Sequence, residues 1–183
     1  MLNKETFTNG ITVLQKMFLN WTFNSKDPLQ MQLWYEAFQG MDDKQFMQVI
    51  KTYCTTRIHA PNNPNEILMI LAEEEEKNYP DPNKAFEAVR ELIRTWGWIW
   101  GRQDIYMAIE GNPALVKTVK EMESELRELT ADDKYTPERF KKAYAINLKT
   151  MCMQKRDQKL RLGAQQQPKA IESDLGRSLP YET

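Results

Sequence analysis

Glycine is scarce in this chain, with seven in 183 residues, and none of the seven opens a phosphate-binding loop. No glycine is followed by lysine and no GxGxxG run occurs, which argues against both familiar nucleotide-binding loops. Histidine is scarcer still. His59 stands alone, in Thr55-Thr56-Arg57-Ile58-His59, with no nucleophile and orienting acid of the triad kind around it. One histidine and two distant cysteines, Cys54 and Cys152, do not supply the four ligands of a structural zinc site. No cofactor or metal is expected, and no catalytic constellation is apparent. Long apolar runs are missing too. None approaches the roughly 20 residues that span a bilayer, and the start MLNKETFTNG has no apolar signal segment. These absences predict a cytoplasmic chain with reduced thiols and no membrane partner. Neither sign of charge dominates, with 25 basic and 26 acidic residues. Distribution along the chain therefore matters more than the total.

What the chain does have is a repeated device for starting helices. Asp27-Pro28, Asn63-Pro64, Asp81-Pro82, Asn112-Pro113 and Thr136-Pro137 each pair a side-chain acceptor with a proline. The acceptor can cap an exposed N–H, and the proline suits the first helical position because it has no N–H to lose. Asp42 with Gln45 has the spacing of a capping box. Apolar residues follow each start at helical spacing. Phe7, Ile11, Leu14 and Phe18 share a face, as do Met31, Trp34, Tyr35 and Phe38. Phe46, Val49, Ile50 and Tyr53 form a third stripe, and Ile67, Ile70 and Leu71 a fourth. The period is helical throughout, never the alternation of a strand.

This predicts an all-α protein. A bundle of about four short helices occupies residues 1–78, and a second group of about four helices occupies 79–163. A polar, aperiodic tail comes after it at 164–183 and is expected to be disordered unless bound. In the second group, Phe86, Val89, Ile93, Trp96 and Trp100 lie on one face of a helix that Gly97 or Gly101 bends or ends. A short helix near Ile105–Ile109 stops at Gly111. Leu115, Val119, Met122, Leu126 and Leu129 form one stripe, and Phe140, Tyr144, Leu148 and Met151 line a last long helix from Thr136.

Charge is sharply uneven. Residues 1–79 carry a net −3 and residues 80–138 a net −4, whereas residues 139–163 carry eight basic groups against Asp157 alone. Such a helix can follow phosphates, dock on an acidic protein surface, or form a solvated outer face. All three readings stay open. The run Glu73–Glu76 reads as a solvated face, because consecutive helical residues point in different directions and do not converge on one ion. The cluster Trp96-Gly97-Trp98-Ile99-Trp100 puts Trp96 and Trp100 on one face and Trp98 away from it. Trp98 is then either a cap on the packing between the two halves or an exposed aromatic, usable as a partner anchor or a base-stacking platform.

The N-terminal unit resembles the loader and inhibitor proteins that bacteriophages direct at the replicative hexameric helicase. The resemblance covers roughly residues 4–76. It is carried by the Phe7, Ile11, Leu14, Phe18 helix, Trp21, the run Leu33-Trp34-Tyr35-Glu36-Ala37-Phe38, the helix Phe46 to Tyr53, and the loop Ala60-Pro61-Asn62-Asn63-Pro64 before Ile67. One departure is Asn62-Asn63-Pro64, where the pattern has a further apolar or proline residue. Ala85-Phe86-Glu87-Ala88-Val89, Trp96-Gly97-Trp98 and Arg139 to Tyr144 are similar to the region C-terminal to that domain in phage and prophage replication proteins. The resemblance implies a two-part adaptor in an infected or lysogenic bacterium, with no ATPase of its own. Its N-terminal bundle would be a platform. Its C-terminal part would hold the helicase for placement on single-stranded DNA and release it at an origin-bound initiator. Lys149, Lys155, Arg156, Lys159 and Arg161 would contact the helicase, with Leu175, Leu179 and Tyr181 as apolar anchors. The alternative reading is a single-stranded-DNA-binding primosomal accessory protein that uses the basic helix, and the adaptor itself could make weak contact with single-stranded DNA.

Overall fold

The computed structural model describes residues 1–130 and 133–165, except the side chains of Ile99 and Trp100. Those residues form nine α-helices and no strand. The first four are α1 (Lys4–Met17), α2 (Pro28–Phe38), α3 (Asp43–Thr56) and α4 (Pro64–Glu76). They surround one core in which Phe7, Leu14, Phe38, Phe46, Ile50 and Ile67 are buried. Each large side chain buried there contributes about 1.5–3 kcal/mol relative to exposure. Helices α1 and α3 run parallel. Asn3, before α1, donates to the Asp43 carboxylate through its backbone N and its Nδ2, both at 2.7 Å. At the other end Phe18 packs edge-on against Tyr53. Helices α2 and α4 return in the opposite direction.

The second group is α5 (Pro82–Trp96), α6 (Trp98–Ile109), α7 (Pro113–Glu121), α8 (Glu123–Arg127) and α9 (Tyr135–Gln165). Its core buries Phe86, Val89, Trp98, Ile105, Leu115, Leu126, Phe140 and Tyr144. Gly97 separates α5 from α6 with φ near 67°, a conformation that favours glycine. The stripe Leu115, Val119, Met122, Leu126 is buried as expected, but two helices carry it, since α7 ends at Glu121, Met122 lies between, and α8 begins at Glu123.

The capping device works at three of its five positions. Asp27 accepts from the N–H groups of Leu29 and Gln30, Asp81 from those of Asn83 and Lys84, and Asn112 from that of Leu115. The Asp42–Gln45 capping box is complete. Asn63 makes no side-chain cap. Glu66 instead reaches back to accept from the backbone N and Nδ2 of Asn62, at 3.1 and 3.0 Å. Thr136 is not a cap either. Helix α9 begins one residue earlier, and Asp133 accepts from the N–H groups of Tyr135 and Thr136.

The two groups do not separate cleanly at residue 78. Helix α4 supplies Ile67, Leu68 and Ile70 to the first core and Ala72 to the second. Helix α9 supplies Phe140, Tyr144, Leu148 and Cys152 to the second core and then packs Leu160 against the first. Packed against α4, this 31-residue helix is the spine that joins the bundles. It also continues to Gln165, past the expected end at Gly163.

Candidate interaction site

The basic stretch of the sequence lies on α9, and most of its charge is engaged inside the molecule. Arg139 pairs with Glu125 at 3.0 Å and Lys141 with Glu138 at 3.0 Å. Further along, Glu75 of α4 faces two lysines one turn apart. Lys155 and Lys159 each place Nζ 3.2 Å from a different oxygen of that carboxylate. The Lys155 ammonium also donates to the Tyr79 hydroxyl and sits 5.0 Å from the Tyr79 ring centre. A carboxylate with two cationic donors strongly favours its ionised form. Lys155 and then Lys159 hold the Glu75 carboxyl below its ordinary range. Tyr79 and then Glu75 hold the Lys155 ammonium above its own.

Arg156 is buried, with 6% of its side chain exposed. Its guanidinium bonds the adjacent Asp157 carboxylate, Nη2 at 2.6 Å and Nε at 2.8 Å, and reaches toward Met69 Sδ on α4. Lys149 and Arg161 are exposed and make no ion pair among the described residues. Of the residues expected to meet a partner, these two present charge to solvent. Lys155, Arg156 and Lys159 present part or all of theirs to α4 and its acidic end. Leu175, Leu179 and Tyr181 lie outside the described residues.

Past Lys159 the seam tightens to backbone contact. Gly40, in the turn between α2 and α3, lies against the Leu160 backbone, and Gly163 lies against the Gly40 backbone. A Cβ built on Gly40 would stand 2.6 Å from Leu160 Cα, and one on Gly163 would stand 2.9 Å from the Gly40 carbonyl carbon. Beside this crossing an open cleft is lined by Met1, Gln45, Glu74, Asn78 and Leu162.

No protein family, curated protein or solved structure matches this chain. The functional reading therefore rests on residues and geometry.

Trp98 corrects an expectation. It is 6% exposed and packs within the second core, so it is neither an exposed anchor nor a cap between the halves. The turn at Gly97 reverses the faces that a continuous helix would have given, and Trp96 is left 41% exposed. The Trp98 indole N–H is buried and has no hydrogen-bond partner among the described residues. Cys54 is half-buried and Cys152 is buried, both as free thiols, and burial raises the pKa of each. Among the described residues no three His, Cys, Asp or Glu side chains gather as a metal would require. No described helix is long and apolar enough to cross a membrane.

The role of Glu75 escaped sequence reasoning. The Glu73–Glu76 run reads as a solvated face, yet two of its members are engaged. Glu73 pairs with Arg57 and Glu75 with the lysines of α9. A signal was present in the opposite signs of the acidic run and of α9, but pairing a helix with one about 80 residues away needs the fold. The Gly40–Gly163 contact carried no sequence signal.

Proposed function

We propose that this protein is a helical adaptor without catalytic chemistry of its own, which binds a replicative hexameric helicase and loads it onto, or withholds it from, single-stranded DNA. One observation carries the reading. The residues of the phage loader resemblance, Phe7, Ile11, Leu14, Trp34, Phe38, Phe46, Tyr53 and Ile67, are the buried core of a single four-helix bundle. A pattern scattered over about 60 residues thus describes one folded platform. The long helix α9 runs from the second bundle back onto that platform, where Leu160 packs against its core, which suits a two-part adaptor.

The geometry weighs against the alternative, a DNA-binding strip along α9. Phosphate binding needs cations free to replace counterions. Five of the eight basic groups between residues 139 and 163 are already paired, namely Arg139, Lys141, Lys155, Arg156 and Lys159. Contact through α9 falls instead to the remaining three, Lys142, Lys149 and Arg161, which are exposed and make no ion pair among the described residues, continuing into the residues after Gln165.

Size-exclusion chromatography with a purified bacterial hexameric helicase, with and without ATP, tests the proposal. Co-elution that survives moderate salt is expected, and truncation after Gln165 weakens it. No co-elution in either nucleotide state refutes it. Steeply salt-dependent binding to single-stranded DNA without helicase binding would favour the alternative.

A further inference from the structure

We propose that the end of the N-terminal bundle remote from α9 is a docking surface for an acidic, leucine-bearing helical segment of a partner protein. The topology brings two loops together there. One comes after α1 and contains Leu19. The other comes after α3 and contains Ile58. Two contacts tie them: the Trp21 Nε1–H donates to the Pro61 carbonyl at 2.8 Å, and Phe18 sits edge-on to Tyr53 at 6.0 Å. The Tyr53 hydroxyl, at the end of α3, donates to the His59 carbonyl of the second loop at 3.3 Å. Trp21 is itself stacked on Phe23 at 4.6 Å.

On these braced loops Leu19 is 87% exposed and Ile58 is 86% exposed, with Met17 beside them at 55%. A single exposed aliphatic residue is ordinary. Two almost fully exposed tips on adjoining, well-held loops form a presented surface. Charge chooses the partner. Lys16, Lys26 and Lys51 lie toward this end and make no ion pair among the described residues. The carboxylates here are engaged. Asp27 caps α2, Glu66 accepts from Asn62, and Glu73 pairs with Arg57. The bundle's other acidic groups, Glu5, Glu36, Asp42, Asp43 and the rest of the Glu73–Glu76 run, sit toward the opposite end, where α1 and α3 start and α2 and α4 stop. Apolar tips at the bundle end that carries these lysines match an amphipathic helix with leucines on one face and glutamates beside them. Aliphatic tips offer nucleic-acid bases no stacking platform.

The surface stands apart from α9, so its test is independent of the helicase. Fluorescence anisotropy of a labelled synthetic Glu/Leu/Ala helical peptide is measured against the full chain. Saturable binding is expected, weakened by salt, and lost when the peptide leucines become serine. Leu19→Glu with Ile58→Glu should raise Kd about tenfold or more, and Lys16→Ala, Lys26→Ala and Lys51→Ala together should flatten the salt dependence. Leu19→Ser with Ile58→Ser, which adds no charge, serves if the glutamate pair disturbs folding by circular dichroism. No saturation up to about 1 mM peptide, or equal affinity in the double variant, overturns the proposal. So does a double variant that loses binding to anionic phospholipid vesicles, or self-association, while keeping the peptide.

Discussion

Adding one methyl group at the α2–α3 turn should loosen the end of α9 from the N-terminal bundle. At Gly40 the new Cβ would meet the Leu160 carbonyl and Cα. Neither can swing away as a side-chain tip could, because both belong to a helix backbone. Forcing atoms into a packed contact of this kind costs about 1–3 kcal/mol. Gly163→Ala gives a sharper form of the test, because two effects oppose. Alanine inside a helix is favoured over glycine by about 1 kcal/mol, so α9 alone would gain. The same Cβ would strike the Gly40 backbone, so docking loses. Net destabilisation by Gly163→Ala would therefore isolate the docking loss. Gly111→Ala is the control, since nothing lies within 4 Å of a Cβ there. Urea denaturation gives the stability change, and hydrogen exchange on residues 155–163 locates it. Because Gly40 and Gly163 form one contact, the double variant should lose less than the sum of the singles. If both singles stay within about 0.5 kcal/mol of the parent with exchange unchanged, the backbone crossing is not what holds α9.

The Glu75 cluster predicts a pH response with a definite sign. The Glu75 carboxyl is held below its ordinary value of 4.5 in the folded chain, so its contribution is present above that value and is lost as pH falls through the lowered one. Lys155 is raised above 10.5, so its contribution is present below that value and is lost as pH rises through the raised one. The seam should hold best between these limits, and Glu75→Gln should remove most of the acid-side loss, read by exchange at residues 155–160. The magnitude stays near 1 kcal/mol or less, because Lys159 is 72% exposed and solvent screens it. Tyr144→Phe removes a buried hydroxyl that accepts from Asn112 Nδ2 at 2.9 Å and donates to the Pro80 carbonyl at 3.1 Å. Leaving both partners unmatched should cost about 1–3 kcal/mol in thermal or urea unfolding. Asp133→Ala should fray the start of α9 and cost about 1 kcal/mol, whereas Thr136→Ala should leave the cap intact. Equal fraying in both, by exchange at residues 135–139, would contradict the cap assignment.

The first bundle was legible in the sequence because its signals are local. Phe46, Val49, Ile50 and Tyr53 are spaced for one helix face, and Asp42 with Gln45 starts that helix within four residues. The fold bears out both. Legibility fails where one local signal competes with another. Thr136-Pro137 looks like a helix start, but Asp133 can reach two N–H groups rather than one and takes the cap. Asn63-Pro64 looks the same, but Glu66 is drawn into the loop, where it also meets the Tyr53 hydroxyl at 3.4 Å. Burial and that carboxylate push the Tyr53 pKa up to about 12, so the hydroxyl stays a donor. At Trp96-Gly97-Trp98 the helical phase is reset by one positive φ, and the buried and exposed tryptophans exchange places.

The basic stretch of α9 reads differently once its neighbours are in place. In the sequence, eight cations in 25 residues look like a surface for something else. In the fold, their distal group sits where the acidic end of α4 approaches. Positive charge between two acidic units reduces their mutual repulsion at the junction. Lys155 and Lys159 supply it at Glu75, while Leu160 and the glycine crossing provide the short-range grip. Any acidic partner that takes hold of Lys155 or Lys159 must therefore compete with Glu75. Binding through those lysines would be coupled to how firmly the two bundles are held together. Binding through Lys149, Arg161 or the remote end of the first bundle would carry no such coupling, and the hydrogen exchange of residues 155–163 in the bound state tells the two apart.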